Sequence, residues 1–213
     1  MKVEGPAVKP VNRANQNKGG IIVNEKKMGS SGPWGVTAFA TTSFMLGVYN
    51  AGLLHGGGMP VVLDMALIFG GLMQVICGVL EIVGGNTFVG SVFGTFGPLW
   101  ITFAAFQLWF APMVPKADIP SAVALFLTVF AVPTFYFLIA ALKTDWVLVI
   151  VVLLILITLV LMALSAGLGN PGLNVVAGWL TMIFAVGAWY HAAAQLLAAT
   201  WGKEVLPVGR IVK

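Results

Sequence analysis

Between Pro33 and Trp201 the chain repeats one pattern six times, a run of about twenty mainly apolar residues followed by a short break of glycine, proline or charge. Runs of this length match the hydrocarbon thickness of a bilayer, where a backbone must satisfy its own hydrogen bonds and therefore coils into helix. A transmembrane β-barrel would alternate polar and apolar positions, and this chain does not.

The breaks predict the helix boundaries. Pro33, after Ser30 and Ser31, suits the first turn of a helix reaching about Leu54, with Thr37, Thr41, Thr42, Ser43 and Asn50 inside it. His55 to Gly58 (HGGG) forms a turn, and a second helix runs from about Val61 to Val83. Gly84 and Gly85 end it, Asn86 and Thr87 can cap a third helix from Phe88 to about Phe110, and Pro112 and Pro115 close that one. A fourth is expected from Asp118 to Leu142, with a kink at Pro133. Lys143, Thr144 and Asp145 make a minimal connection to a fifth helix, anchored at the interface by Trp146 and ending near Leu168. Asn170, Pro171 and Gly172 turn the chain into a sixth, ending near Trp201. The domain reading is a disordered basic tail over 1–29, a six-helix membrane domain over 30–201 and a short polar tail over 202–213.

The pattern is least regular from Gly70 to Trp100, where Gln74, Glu81, Asn86 and Thr87 interrupt an otherwise apolar stretch. Gln74 and Glu81 are two turns apart and project from nearly the same face. One reading has them bonding neighbouring helices, with Glu81 accepting from the amides of Gly84 to Thr87; the other has them at the inner mouth of a pathway. Scaffolding is the expected role, because an ionisable group near a helix end costs little to keep. Asp64, at the other end of the same helix, is separated from Glu81 by roughly 25 Å of rise. Asn50 either caps its helix or donates to a passing anion. His191, deep in the sixth helix, is expected to make an interhelical hydrogen bond rather than to relay protons. Gly90 and Gly94, Gly70, Gly71 and Gly78, and Ala192 to Ala194 favour close helix contact within or between subunits. The fifth helix, almost pure Val, Leu and Ile, is expected to face lipid or an apolar partner over much of its surface.

Composition excludes an ordinary soluble domain: 59% of residues are hydrophobic and 8% charged, with a mean hydropathy of +0.99. The lone Cys77 has no intrachain partner, and no Cys/His cluster suggests a metal site. No cofactor is implied, and no nucleophile, base and orienting group occur together, so no enzyme is expected. Met1 to Met28 has no apolar core and so does not read as a cleavable signal. Residues 1–29 carry the whole net charge of +4, which is read as a topology or anionic-lipid signal and not as nucleic-acid binding. With six helices, the face bearing both termini holds ten Lys and Arg and the opposite face only Lys116. Both termini are therefore expected in the cytoplasm, in a multi-pass protein of the cell membrane.

The spaced residues Gly70-Gly71, Gln74, Gly78, Glu81 and Gly85-Asn86-Thr87-Phe88, then Phe93, Gly97 and Trp100, resemble the signature of the acetate uptake transporter family. That family contains bacterial succinate/acetate permeases and fungal proteins linked to acetate uptake or ammonia export. The likeness extends over Tyr49-Asn50-x-Gly52, Ala177-Gly178-Trp179 and Gly202-Lys203-x-Val205-Leu206-Pro207-x-Gly209. At the first helix entrance, Ser30 to Val36 stands where the family carries Asn-Pro-Ala-Pro-Leu-Gly-Leu, and His191 and Gln195 depart from it too. The resemblance implies an all-α subunit of six transmembrane helices with a pore through each, assembled as a homo-hexamer similar in shape to the proton-gated urea channels. It also implies an apolar constriction at Phe39, Phe96 and Ile155, with Ala188 lining the path nearby; read without it, these are core residues.

A carboxylate stripped of water in such a ring would cost tens of kcal/mol in the idealised limit. Acetate would therefore cross as the neutral acid with its proton, or partly hydrated and helped by Asn50, Thr87 and the amides near the Gly84 to Thr87 turn, with ring edges tolerating the anion. Three functions stand open: a proton-linked transporter or channel for acetate and related short carboxylates such as succinate, a channel for a neutral solute such as ammonia or urea, and a regulatory membrane protein whose basic tail recruits a partner.

Overall fold

The computed structural model describes residues 29–211, so the expected N-terminal tail lies outside it but for Gly29. Six helical rods follow one another: α1 (Gly32–Asn50), α2 (Gly56–Val83), α3 (Thr87–Met113), α4 (Ile119–Ala141), α5 (Trp146–Leu168) and α6 (Pro171–Trp201). The expected stops act locally as chemistry requires. Asn86 caps α3 by accepting from the Val89 amide at 3.3 Å, and Asp145 caps α5 by accepting from the Leu148 amide at 2.9 Å. Asn170 accepts from the Gly172 amide at 3.0 Å, and Gly169, at φ 64°, ends α5 in the left-handed conformation.

Rods α2 to α6 are long and apolar enough to cross a membrane. α1 is less apolar because of its glycines and hydroxyls, but its 19 residues rise about 28 Å, close to the hydrocarbon thickness. It packs along α6 and against α2. Each helix contacts its sequence neighbour, and α1 against α6 closes the series into a ring whose loosest joint is α3 with α4. The protein is thus a multi-pass, all-helical membrane protein.

Glycines set the closest crossings. A Cβ added at Gly78 would sit 2.9 Å from the Gly94 amide nitrogen, and one at Gly97 would sit 3.0 Å from the Gly71 carbonyl oxygen, so α2 and α3 meet backbone to backbone. Of the small residues expected to bring helices together, Gly70, Gly71, Gly78 and Gly90 do so within one subunit.

Of the apolar window of α5, 33% is buried, against 11% for α4. Two features differ from the sequence reading. α2 and α3 are not uniform α-helix, since Ile68–Met73 and Phe106–Phe110 widen into π-helical turns. The C-terminal segment is a docked strap as far as it is described. The Trp146 amide donates to the Gly209 carbonyl and the Ile211 amide to the Thr144 carbonyl, each at 3.0 Å, bridging Asp145 and Arg210. Tyr190 donates to the Pro207 carbonyl at 2.8 Å. Gly209 has φ 69°, and an added Cβ would press on Trp146 at 3.3 Å.

Candidate functional site

Two cavities lie inside the helix ring. The larger, about 280 Å³, lies at the end remote from the termini, between Asn50, Met59, Gln107, Ala122, Ser165 and Asn174. The smaller, about 50 Å³, lies toward the end bearing the termini and is lined by Val36, Gln74, Phe93, Leu148, Ala188 and His191 among others. Their walls share three residues, Phe39, Phe96 and Ile155.

These three residues come from α1, α3 and α5, which all run away from the terminal end. They stand seven, nine and nine residues beyond the first residues of their helices, Gly32, Thr87 and Trp146. Similar depth on alternate helices makes one layer, roughly 10–14 Å in. The rings of Phe39 and Phe96 lie 5.6 Å apart, Phe184 stacks on Phe39 at 5.7 Å, and Phe137 flanks Phe96 at 6.3 Å. All three shared residues are buried, so an apolar septum divides the cavities.

Polar atoms flank this septum. Six buried side-chain polar atoms lack a protein hydrogen-bond partner among the described residues, and five belong to residues in the cavity walls. Ser43 Oγ, Thr158 Oγ1 and Trp100 Nε1 are on the far side, and Gln74 Oε1 and His191 Nδ1 on the terminal side. A buried polar atom without a partner costs about 1–3 kcal/mol, so their concentration around a septum marks where a polar solute would be compensated. The sequence reading did not single out Trp100 or Thr158 as contact residues, and among so many apolar neighbours nothing marked them.

The other expected site residues divide. Asn50 lines the far cavity and Ala188 the terminal one. Thr87 is exposed at the first turn of α3 and lines neither cavity. Gln74 and Glu81 are both buried on one face, but only Gln74 reaches a cavity wall. Glu81 accepts from Ser30 at 3.0 Å, Ser31 at 2.9 Å and Asn86 at 2.8 Å, binding the entrance of α1 to the α2–α3 turn. Its side-chain partners are these side chains, not the turn amides expected; the turn instead closes backbone to backbone, the Asn86 amide donating to the Glu81 carbonyl at 2.8 Å. The unusual Ser30-Ser31 entrance thus has a local structural use.

His191 makes its interhelical contact, with Nε2 3.0 Å from Asp145 Oδ2. Burial pushes the Asp145 carboxyl up, but the hydrogen bonds from His191 and the Leu148 amide hold it below the ordinary carboxylate range. No group of three or more potential metal-ligating side chains occurs among the described residues.

A closed ring of membrane-spanning helices enclosing two cavities that share one apolar layer fits the class of channels and transporters for small solutes. Comparison with known proteins narrows the class. The chain belongs to the GPR1/FUN34/yaaH family, whose pattern matches residues 14–209, as the signature around Gly70 to Trp100 implied. It is 30% identical over 185 residues to the succinate-acetate/proton symporter SatP of Escherichia coli (strain K12), covering 86% of this chain and 96% of the relative. It is 32% identical over 176 residues to ammonia transport outward protein 2 of Saccharomyces cerevisiae, covering 80% of this chain and 62% of that protein. Its fold is similar to the solved structure of the bacterial acetate channel SatP, with a TM-score of 0.81 and 28% identity over 86% of this chain and 100% of that one.

Proposed function

We infer that the protein carries acetate and related short carboxylic acids, succinate among them, across the cell membrane together with a proton. The observation that carries this reading is the apolar layer of Phe39, Phe96 and Ile155 shared by two cavities, with buried unpartnered polar atoms in the residues around them. The names of the relatives, symporter and acetate channel, supply the substrate class. Phe39, Phe96 and Ile155 act as the constriction, and Ala188 lines the path just beyond it. Asn50 and the donors Trp100, Ser43 and Thr158 receive the acid at the far end. Gln74 faces it after the septum, and Glu81 with Asn86 holds the inner mouth in shape, with Thr87 at its rim. The charge asymmetry puts the terminal end in the cytoplasm. The assembly is a homo-hexamer, with the apolar outer face of α4 available to a neighbour or to lipid.

A second reading, passage of ammonia, rests on the yeast relative and on the same apolar layer, which a neutral solute crosses more readily than an ion. Labelled acetate uptake into vesicles holding the purified protein, above that of protein-free vesicles and with an imposed pH gradient, tests the first reading. Flux of ammonia or urea without acetate would replace it with the second. No flux of any of them would leave a regulatory membrane protein.

A further inference from the structure

The mechanism above gives no task to the Asp145–His191 pair, although His191 forms part of the wall of the cytoplasmic cavity. His191 follows Ala188 by one helical turn, on the same face of α6. Because Asp145 is held in its ionised form, the 3.0 Å contact requires a hydrogen on Nε2, which donates to Oδ2. In the neutral imidazole Nδ1 then carries only a lone pair, and that atom is buried without a protein partner. A carboxylate on one ring nitrogen and a free lone pair on the other is the arrangement that orients a base and stabilises the cation it becomes.

We propose that His191, positioned by Asp145, is the proton acceptor on the cytoplasmic side of the septum, taking the proton from the carboxylic acid that has just crossed. This rests on the acid transport inferred above. The acid O–H bond breaks, its electron pair remains on the carboxylate oxygen, and the proton bonds to the Nδ1 lone pair. The imidazolium stays paired through Nε2–H to Asp145. Water at the cytoplasmic mouth then removes the proton, and the carboxylate leaves beside Gln74.

The surroundings leave little else to do this work. α1 and α5, which flank α6, carry no charged side chain. On α2, Glu81 is occupied by Ser30, Ser31 and Asn86. From the strap, Arg210 meets Asp145 through its backbone bridge while its guanidinium lies 3.5 Å from Glu204. Tyr190 is turned to Pro207.

The test is the pH profile of labelled acetate uptake in vesicles holding the full chain, as wild type, His191→Gln and Asp145→Asn. His191→Gln is expected to lower proton-driven uptake about tenfold or more and to flatten its pH dependence. Asp145→Asn keeps an acceptor for the Leu148 amide but removes the negative charge beside Nε2, so the uptake profile moves to lower pH. A wild-type profile in both variants would overturn the inference, as would equal losses of rate with the profile unchanged, which is the mark of a structural pair. Should His191→Gln fail to assemble, the direction of the Asp145→Asn shift decides. Acetate uptake by the wild type alongside unshifted variants overturns this inference alone; no acetate uptake by the wild type overturns the transport reading beneath it as well.

Discussion

Truncating Phe96 to alanine tests whether the septum sets the size of the solute. Phe96 is 3% exposed, and its ring closes the layer against Phe39 at 5.6 Å and Phe137 at 6.3 Å. The truncation joins a cavity of about 280 Å³ to one of about 50 Å³ through the space the ring leaves. Discrimination against one extra methylene in an apolar site is worth about 1–3 kcal/mol, or roughly 10–200-fold in rate. Opening the layer should therefore lower the preference for acetate over butyrate by at least about tenfold. The stability cost should lie near the low end of the roughly 3–5 kcal/mol usual for Phe→Ala, because the ring already borders empty space on two sides. The assay is initial uptake of labelled acetate and butyrate, each corrected for protein-free vesicles, with a melting curve in detergent. Phe184→Ala is the control, since Phe184 stacks on Phe39 at 5.7 Å but lines only the far cavity, and its selectivity should stay near wild type. An unchanged ratio in Phe96→Ala, or an equal change in Phe184→Ala, would refute the placement of the constriction.

Ala188→Ser puts a hydroxyl beside the septum on the side of the termini; a hydrogen bond worth about 1 kcal/mol should raise lactate uptake about fivefold relative to acetate, and flat lactate uptake would remove Ala188 from the path. Glu81→Ala strips the acceptor from Ser30, Ser31 and Asn86. At about 1.5–3 kcal/mol for a hydrogen bond to a charged group, it should lower the melting temperature and the yield of assembled protein while the acetate-to-butyrate ratio holds. Asp145 titrates lower in the folded protein than its ordinary value of 3.8, so its contribution is fully present above that value and is lost as pH falls through the lowered one. Melting curves taken from neutral pH downward should show this acid-side loss, and Asp145→Asn should remove it.

The helix count and the ends of α5 and α6 were legible because each depends on a local signal: a long apolar run, a capping Asp or Asn, a glycine free to turn left-handed. The π-helical turn at Ile68–Met73 was not, because what surrounds it is tertiary. Cβ atoms added at Gly70 and Gly71 would meet Thr42 of α1 and Ile101 of α3 at 2.7 and 2.5 Å, and no periodicity in α2 announces those neighbours. The exposure of α4 over α5 was hidden for a related reason, since both are apolar all round and only the ring order decides which is flanked more tightly. The septum residues came from family resemblance, yet a cue was present in their similar distance, seven to nine residues, from the starts of three co-directional helices. The Asp145–His191 pair is 46 positions apart and depends on how α5 and α6 slide past one another. The sequence put Asp145 in the connection before the fifth helix and His191 deep in the sixth, without pairing them.

The layer between the cavities bears on why a proton should travel with the solute at all. An acetate ion would have to enter a ring of two phenylalanines and an isoleucine that offers no hydrogen-bond donor, and tilted rings 50° apart at 5.6 Å give at most partial edge charge in return for lost hydration. The ionic cost has no counterpart there. A neutral acid loses far less, a few kcal/mol for its hydroxyl and carbonyl. The layer is also only one side chain deep, so this loss is confined to one step between walls that can repay it. Ser43, Thr158 and Trp100 have buried polar atoms without a protein partner on the far side, Gln74 and His191 on the terminal side. Those five atoms can take up hydrogen bonds from a solute that sheds its water between them. An apolar septum with polar groups beside it then favours the protonated acid over the ion, and leaves proton release to the wall at the terminal end, where the one histidine among the six helices stands.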